Sequence, residues 1–244
     1  MSTLSSLLPV SLAAAKLLVS AHIKTVPALF LPIAKLREND HRIAIRRDSD
    51  ILFSGYWRCA NHYAVYAFDV SQPRKVNVAR HFHAPAQVKL AIRWNVPAVV
   101  LVRQPLEAIA SATIFLEHED PLPFLRFYNI YHRSLVEYRD RIVISDFERT
   151  TTDFASVIAE VNERYGRRFN LYEKTPENED RVKELIRQQH GDGGIGRVAR
   201  LPLPSHEKDY LKERIKEKLQ SPEFALLLEE ANQYYRYFAS ASHH

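Results

Sequence analysis

The sequence predicts an α/β fold of three layers, with a central parallel sheet held between helices. Three observations predict it. Short apolar runs rich in β-branched residues recur along the chain, the clearest being Ala-Val-Val-Leu-Val at 98–102. Each run is followed by a stretch whose apolar residues fall at helical spacing, and repeated β–helix–β units imply a parallel sheet covered on both faces. The chain also has 244 residues, 46% of them hydrophobic, enough for one full core and few for two.

The elements follow in order. Residues 7–36 are rich in Leu, Ala and Val, but Lys16, His22 and Lys24 interrupt them and Pro9, Pro27 and Pro32 break them. No uncharged run approaches the ~20 residues of a spanning helix, and the positive flank of a signal peptide is missing. The expectation is an N-terminal helical segment, residues 1–45, packed on the domain or lying on a membrane surface. An α/β domain over 46–240 follows it. Residues 51–54 form a strand stopped by Gly55, 60–70 a helix with Tyr63, Tyr66 and Ala67 on one face, and 75–80 a second strand. A helix at 84–94 is cut off by Asn95 and Pro97, and the strand at 98–102 comes next. Pro105 opens a helix through 116, and 121–138 reads as one long aromatic helix. A strand at 141–145 precedes a helix at 151–165, with threonine caps before it and Gly166 after it. Beyond Thr175 the chain turns polar. Residues 191–196 hold four of the six glycines and read as a flexible loop, and helices at about 205–219 and 222–238 finish the chain.

Ligands of such folds bind beyond the carboxyl ends of the strands, which here means 55–62, 81–85, 103–111 and 146–150. Lys and Arg outnumber Asp and Glu, 34 to 29, an excess that suits an anionic ligand or surface. Cys59 is the sole cysteine, which excludes an intramolecular disulfide and a zinc site built from several thiolates, and fits a reducing cytoplasm. No helix-turn-helix, finger or RNA-binding signature speaks for nucleic acid.

The loop after the first strand reads Gly55, Tyr56, Trp57, Arg58, Cys59, Ala60, Asn61, His62. Set against the G-x-x-x-x-G-K-[ST] phosphate loop, it lacks the second glycine, the lysine and the hydroxyl that holds magnesium. Metal-assisted transfer of a γ-phosphate loses its main charge stabilisers without them. The position still suits an anion, because backbone N–H groups at a helix start attract one.

The same loop resembles that of the sulfotransferase family, G-Y-P-[RK]-S-G-[NT]-[TH]. Gly55, Tyr56, Arg58, Asn61 and His62 match, while Trp57 stands for proline, Cys59 for serine and Ala60 for glycine. Residues 103–111 resemble the second family signature, R-[DN]-P-x-[DE]-x-x-x-S, with Arg103 and Ser111 eight positions apart. The resemblance implies a sulfotransferase fold related to the P-loop NTPases. The donor would be 3′-phosphoadenylyl sulfate (PAPS) and the product 3′-phosphoadenosine 5′-phosphate (PAP), with no metal. Residues 55–62 would hold the 5′-phosphosulfate, Arg103 and Ser111 the 3′-phosphate, and Arg58 the charge on the departing oxygen. His83, in the place of the family's H-x-P histidine, would be the general base, its ordinary pKa near neutral suiting the task; His62 and His81 are alternates. Phe147 would stack near adenine, and Arg197 and Arg200 would fold over the 3′-phosphate.

The expected acceptor is a hydroxyl, on a small molecule or a glycan, and residues 112–140 match nothing that names it. Phe115, Phe124, Phe127, Tyr128 and Tyr131 line a pocket or fill the core. Two other readings stand beside this one: a kinase-like phosphotransferase, and a non-catalytic nucleotide- or partner-binding relative, for which Cys59 and Ala60 speak.

Overall fold

The structure, a computed structural model, describes residues 12–190 and 206–242. Arg197, Arg200 and the glycine-rich 191–196 stretch lie outside the described residues. Two helices open the chain, α1 (Leu12–Ile23) and α2 (Pro27–Leu36), bent 109° from each other. The β-biased residue before a proline ends the first where Pro27 begins the second. The alternation then proper begins: β1 (Ile51–Gly55), α3 (Asn61–Ser71), β2 (Val78–Ala79), α4 (Pro85–Arg93), β3 (Ala98–Val102), α5 (Pro105–Phe115), α6 (Leu122–Arg133) and β4 (Val143–Asp146). Short α7 (Phe147–Thr152), α8 (Phe154–Tyr165), α9 (Pro176–His190), α10 (His206–Leu219) and α11 (Ala225–Ala239) complete the described elements.

The four strands form one sheet in the order β2-β1-β3-β4, every pair parallel. All residues of β1 and β3 are buried, as a sheet covered on both faces requires. Crossovers between parallel strands are right-handed. The chain moves outward from β1 to β2 and then crosses back to β3, so α3 lies on one face and α4 and α5 on the other. The strand order reverses between β1 and β3, and the loops leaving these two strands part there, opening the crevice where such folds bind ligands.

Several elements differ from the sequence reading. The second strand is only two residues long, extended by a bridge between Ile43 and Arg80; it is the sheet edge, where short strands are the rule. The long aromatic helix stops at Arg133 and gives way to a 3-10 turn at Val136–Arg141. The helix expected at 151–165 is two helices, capped by aspartates rather than threonines. Asp146 accepts from the Arg149 amide at 2.8 Å, and Asp153 accepts from that of Ser156 at 3.3 Å. Helix α9 was not legible in the polar composition after Thr175. It is amphipathic by two buried residues one turn apart, Val182 and Ile186.

The N-terminal pair packs against the domain, α1 on α6 and α2 on α4, burying Ala21, Phe30 and Ala34. Its outer face exposes Val19, Leu29 and Leu36. No single described helix is long and apolar enough to cross a membrane.

Candidate functional site

The loop after β1 is shaped by close packing. A Cβ on Gly55 would lie 2.6 Å from the Leu101 carbonyl oxygen and 3.1 Å from Asn61 Oδ1, so only glycine lets β1 approach β3 this closely. Asn61 donates back to the Tyr56 carbonyl at 2.9 Å, and the buried Tyr56 hydroxyl donates to that of Phe124 at 3.1 Å. Within the clamped loop Arg58 and Ala60 take φ values of 64° and 61°, with Cys59 at negative φ between them. Backbone amides that follow such an alternation point into one concavity, a nest for an anion. Ala60 is also the residue before the first turn of α3, so the nest opens onto a helix N-terminus.

Two guanidinium groups converge on this loop. Arg58 donates through Nε to Ser111 Oγ at 2.9 Å and lies 5.0 Å from the Phe115 ring. Arg103 donates through Nη1 to the Arg58 carbonyl at 2.9 Å, pairs with Glu107 at 3.3 Å and stacks 3.9 Å over the Phe147 ring. The Tyr128 hydroxyl fixes the backbone there by donating to the Arg103 carbonyl at 2.8 Å. Burial lowers the Arg58 pKa to about 10, with the neighbouring Arg103 adding repulsion, and burial lowers that of Arg103 as well. Both remain charged at neutral pH, two partly desolvated cations side by side. An anion placed between them gains both interactions and relieves their repulsion. Burial pushes the Cys59 thiol up to about 12, so this cysteine packs and does not react.

The loop after β2 closes the other side. His81 and His83 have φ of 62° and 49°. Histidine tolerates this region better than most residues, yet two such positions in three residues is stored strain, and strain collects at functional sites. His83 Nδ1 lies 3.0 Å from the Gly55 carbonyl oxygen. A carbonyl can only accept, so Nδ1 carries the proton and Nε2 keeps its lone pair. Burial, followed by the charge of Lys24, lowers the His83 pKa to about 3. This corrects the expectation of a near-neutral histidine: the ring is neutral throughout the working range. Lys24, from the end of α1, is itself lowered to about 8 by burial and by Arg42 and Arg37, and its ammonium lies 5.3 Å from the centroids of both Trp57 and Phe127.

These loops enclose a cavity of about 410 Å³, within the range of small-molecule sites. Trp57, Arg58, Ala60, Asn61, His62, His83, Arg103, Ser111 and Phe147 all line it. Gly55, Tyr56 and Cys59 do not; they shape the loop from behind, Tyr56 and Cys59 with their side chains fully in the core. Ser111 faces Arg58 rather than sharing a grip with Arg103. Of the five aromatics left open between pocket and core, Phe115 lines the cavity, whereas Phe124, Phe127, Tyr128 and Tyr131 are core residues.

The far wall comes from residues the sequence reading did not single out. Helix α9 contributes Glu179, Val182, Lys183 and Ile186, and α10 contributes Asp209 and Lys212. Glu179 accepts hydrogen bonds from Tyr63 at 2.6 Å and Tyr172 at 2.9 Å. Glu107 ties α10 to the arginine loop by pairing with Lys212, Lys216 and Arg103. Burial would raise its carboxyl, but the two lysines hold it down at about 2. No motif announces these residues, because their meeting depends on how two charged helices dock.

No family model and no curated protein matches the chain. Among solved structures it is similar to mouse sulfotransferase SULT7A1 complexed with PAP, with 12% sequence identity over 77% of this chain and 90% of that one and a TM-score of 0.41.

Proposed function

We propose that the chain is a sulfotransferase, transferring a sulfuryl group from 3′-phosphoadenylyl sulfate to a hydroxyl acceptor. One observation carries the reading: Arg58 and Arg103, from two loops far apart in sequence, and Ser111, from helix α5, border one cavity at the switch point of a parallel sheet, beside a backbone anion nest. The donor's anionic groups match this set. In the proposed reaction the 5′-phosphosulfate lies in the nest and against Arg58, the 3′-phosphate meets Arg103, and the adenine stacks near Phe147. Arg197 and Arg200 are proposed to add to the 3′-phosphate grip.

The chemistry assigned to the chain's own residues is limited. His83 offers Nε2 to the acceptor hydroxyl and takes its proton as the new O–S bond forms. The S–O bond to the 5′-phosphate breaks at the same centre, and Arg58 meets the negative charge left on that oxygen. Arginine stabilises this charge without being the acid that protonates it. The low proton affinity of His83 keeps it in the accepting form and makes it a mild base, which suits a transfer in which the hydroxyl proton leaves late.

The test is a thermal-shift comparison of 3′-phosphoadenosine 5′-phosphate with ATP and magnesium, followed by transfer of labelled sulfate from the donor to a panel of hydroxyl acceptors. The expected result is stabilisation by the 3′-phosphorylated nucleotide alone, and labelled product with at least one acceptor. A shift with ATP and magnesium only would turn the reading to a phosphotransferase. Tight nucleotide binding with no turnover on any acceptor would favour a non-catalytic binder, for which Ala60 in a glycine-type conformation already speaks.

A further inference from the structure

A second cluster lies behind the histidine loop. His41 follows α2, His62 sits in the first turn of α3, and His81 follows β2. Three segments remote in sequence thus bring one imidazole each to a single point. A donor atom from each ring lies within 4.8 Å of the other two, and the ring centroids are 4.4 to 5.3 Å apart.

From this convergence we propose that His41, His62 and His81 form a binding site for one borderline divalent transition-metal ion of the zinc class. The sequence reading expected no metal, because it weighed thiolate sites and the sulfotransferase resemblance, and no spacing joins these three histidines.

Two independent observations support the site. His81 is only 5% exposed, yet neither of its ring nitrogens has a hydrogen-bond partner among the described residues. Buried polar atoms are nearly always paired, and an imidazole with both nitrogens unpaired in the interior wants a ligand. The spacing also fits. Three nitrogens at about 2.0–2.1 Å from a tetrahedral ion stand about 3.3 Å from one another, so modest ring rotations close the set. Gln189 hydrogen-bonds the His41 ring, the kind of outer contact that orients a ligating imidazole.

The donor set selects the ion. Three imidazoles with no carboxylate suit zinc, cobalt, nickel or copper and disfavour calcium and magnesium. The charged groups facing the cluster are Arg42 and Arg80, and Arg80 is partly offset by Asp69 at 3.7 Å. These cations weaken affinity for any dication alike. His62 also lines the main cavity, so the cluster adjoins that space, and three imidazoles leave a tetrahedral ion one further position to fill.

The experiment titrates cobalt(II) into the metal-stripped full chain and reads its visible spectrum. The expected result is one equivalent bound with the intense bands of a four-coordinate ion, displaced by one equivalent of zinc. His41→Gln and His62→Gln, each verified as folded by circular dichroism, should lower the affinity at least about tenfold. Absence of a stoichiometric complex overturns the proposal, as do the weak bands of a six-coordinate ion. Full-strength binding retained in both folded variants overturns it too, by assigning the metal to other members of the 11 histidines. The readout needs neither donor nor turnover, so its outcome is separate from that of the sulfotransferase test.

Discussion

The loops after β1 and β2 face each other across one cavity, and burial acts on them in opposite ways. The β1 loop, with Arg103 beside it, holds guanidiniums whose pKa falls to about 10 for Arg58, so both stay charged. The β2 loop holds imidazoles, and the same desolvation takes His83 to about 3 and His81 well below its ordinary value. A penalty of a few pKa units cannot silence a group that starts above 12, but it removes the charge from one that starts near 6.5. The fold thus gives one side fixed positive charge and the other neutral nitrogen donors, with a single physical effect. The left-handed backbone is common to both sides: Arg58 and Ala60 on one, His81 and His83 on the other.

The sharpest way to break this comparison is to remove one member from each side. His83→Ala should lower sulfuryl transfer about 10²–10⁴-fold and leave affinity for 3′-phosphoadenosine 5′-phosphate within about twofold, read by calorimetry. The native rate should show no inflection near pH 6.5 from His83, since its proton is gained only near pH 3. A rate that halves as pH falls through 6.5, with donor binding insensitive to pH, would mean that His83 gains its proton near 6.5 rather than near 3. Arg103→Ala should do the reverse and weaken nucleotide binding by about tenfold or more, because a charge-assisted contact contributes about 1.5–3 kcal/mol. Unchanged affinity in the folded variant would remove Arg103 from the donor site.

A third measurement concerns stability. The folded chain keeps His83 near 3 and the core residue His132 near 4, while the unfolded chain protonates both near 6.5. Between these values the unfolded state binds more protons, so stability must fall as pH drops. The slope reaches about 1.4 kcal/mol per pH unit for each such histidine. Denaturant midpoints at pH 7, 6 and 5 test this, and a flat profile would show that these rings are charged in the fold. Smaller effects distinguish the two unusual backbone positions of the first loop. Gly55→Ala should destabilise by about 1–3 kcal/mol, since its Cβ meets the Leu101 carbonyl. Ala60→Gly should stabilise by about 1 kcal/mol by relieving a left-handed alanine. Melting shifts of opposite sign from these two would confirm that the loop is held by packing at one residue and strained at the other.

The sequence by itself determined the alternation of strands and helices, the carboxyl-end loops and the basic residues they carry. These are local properties: β-branched runs bounded by turns, proline at helix starts, and an arginine placed directly after the strand at 98–102. It also placed Gly166 as a helix stop, and there the backbone is left-handed, with φ of 61°. The tertiary structure decided what depends on neighbours remote in the chain. The pairing of Ser111 with Arg58, the neutral state of His83, the wall supplied by α9 and α10, and the meeting of His41, His62 and His81 are all of this kind. Residue type fixes an intrinsic proton affinity, but the charge a group carries is set by its desolvation and by the charges around it, and both come into being only when the chain has packed.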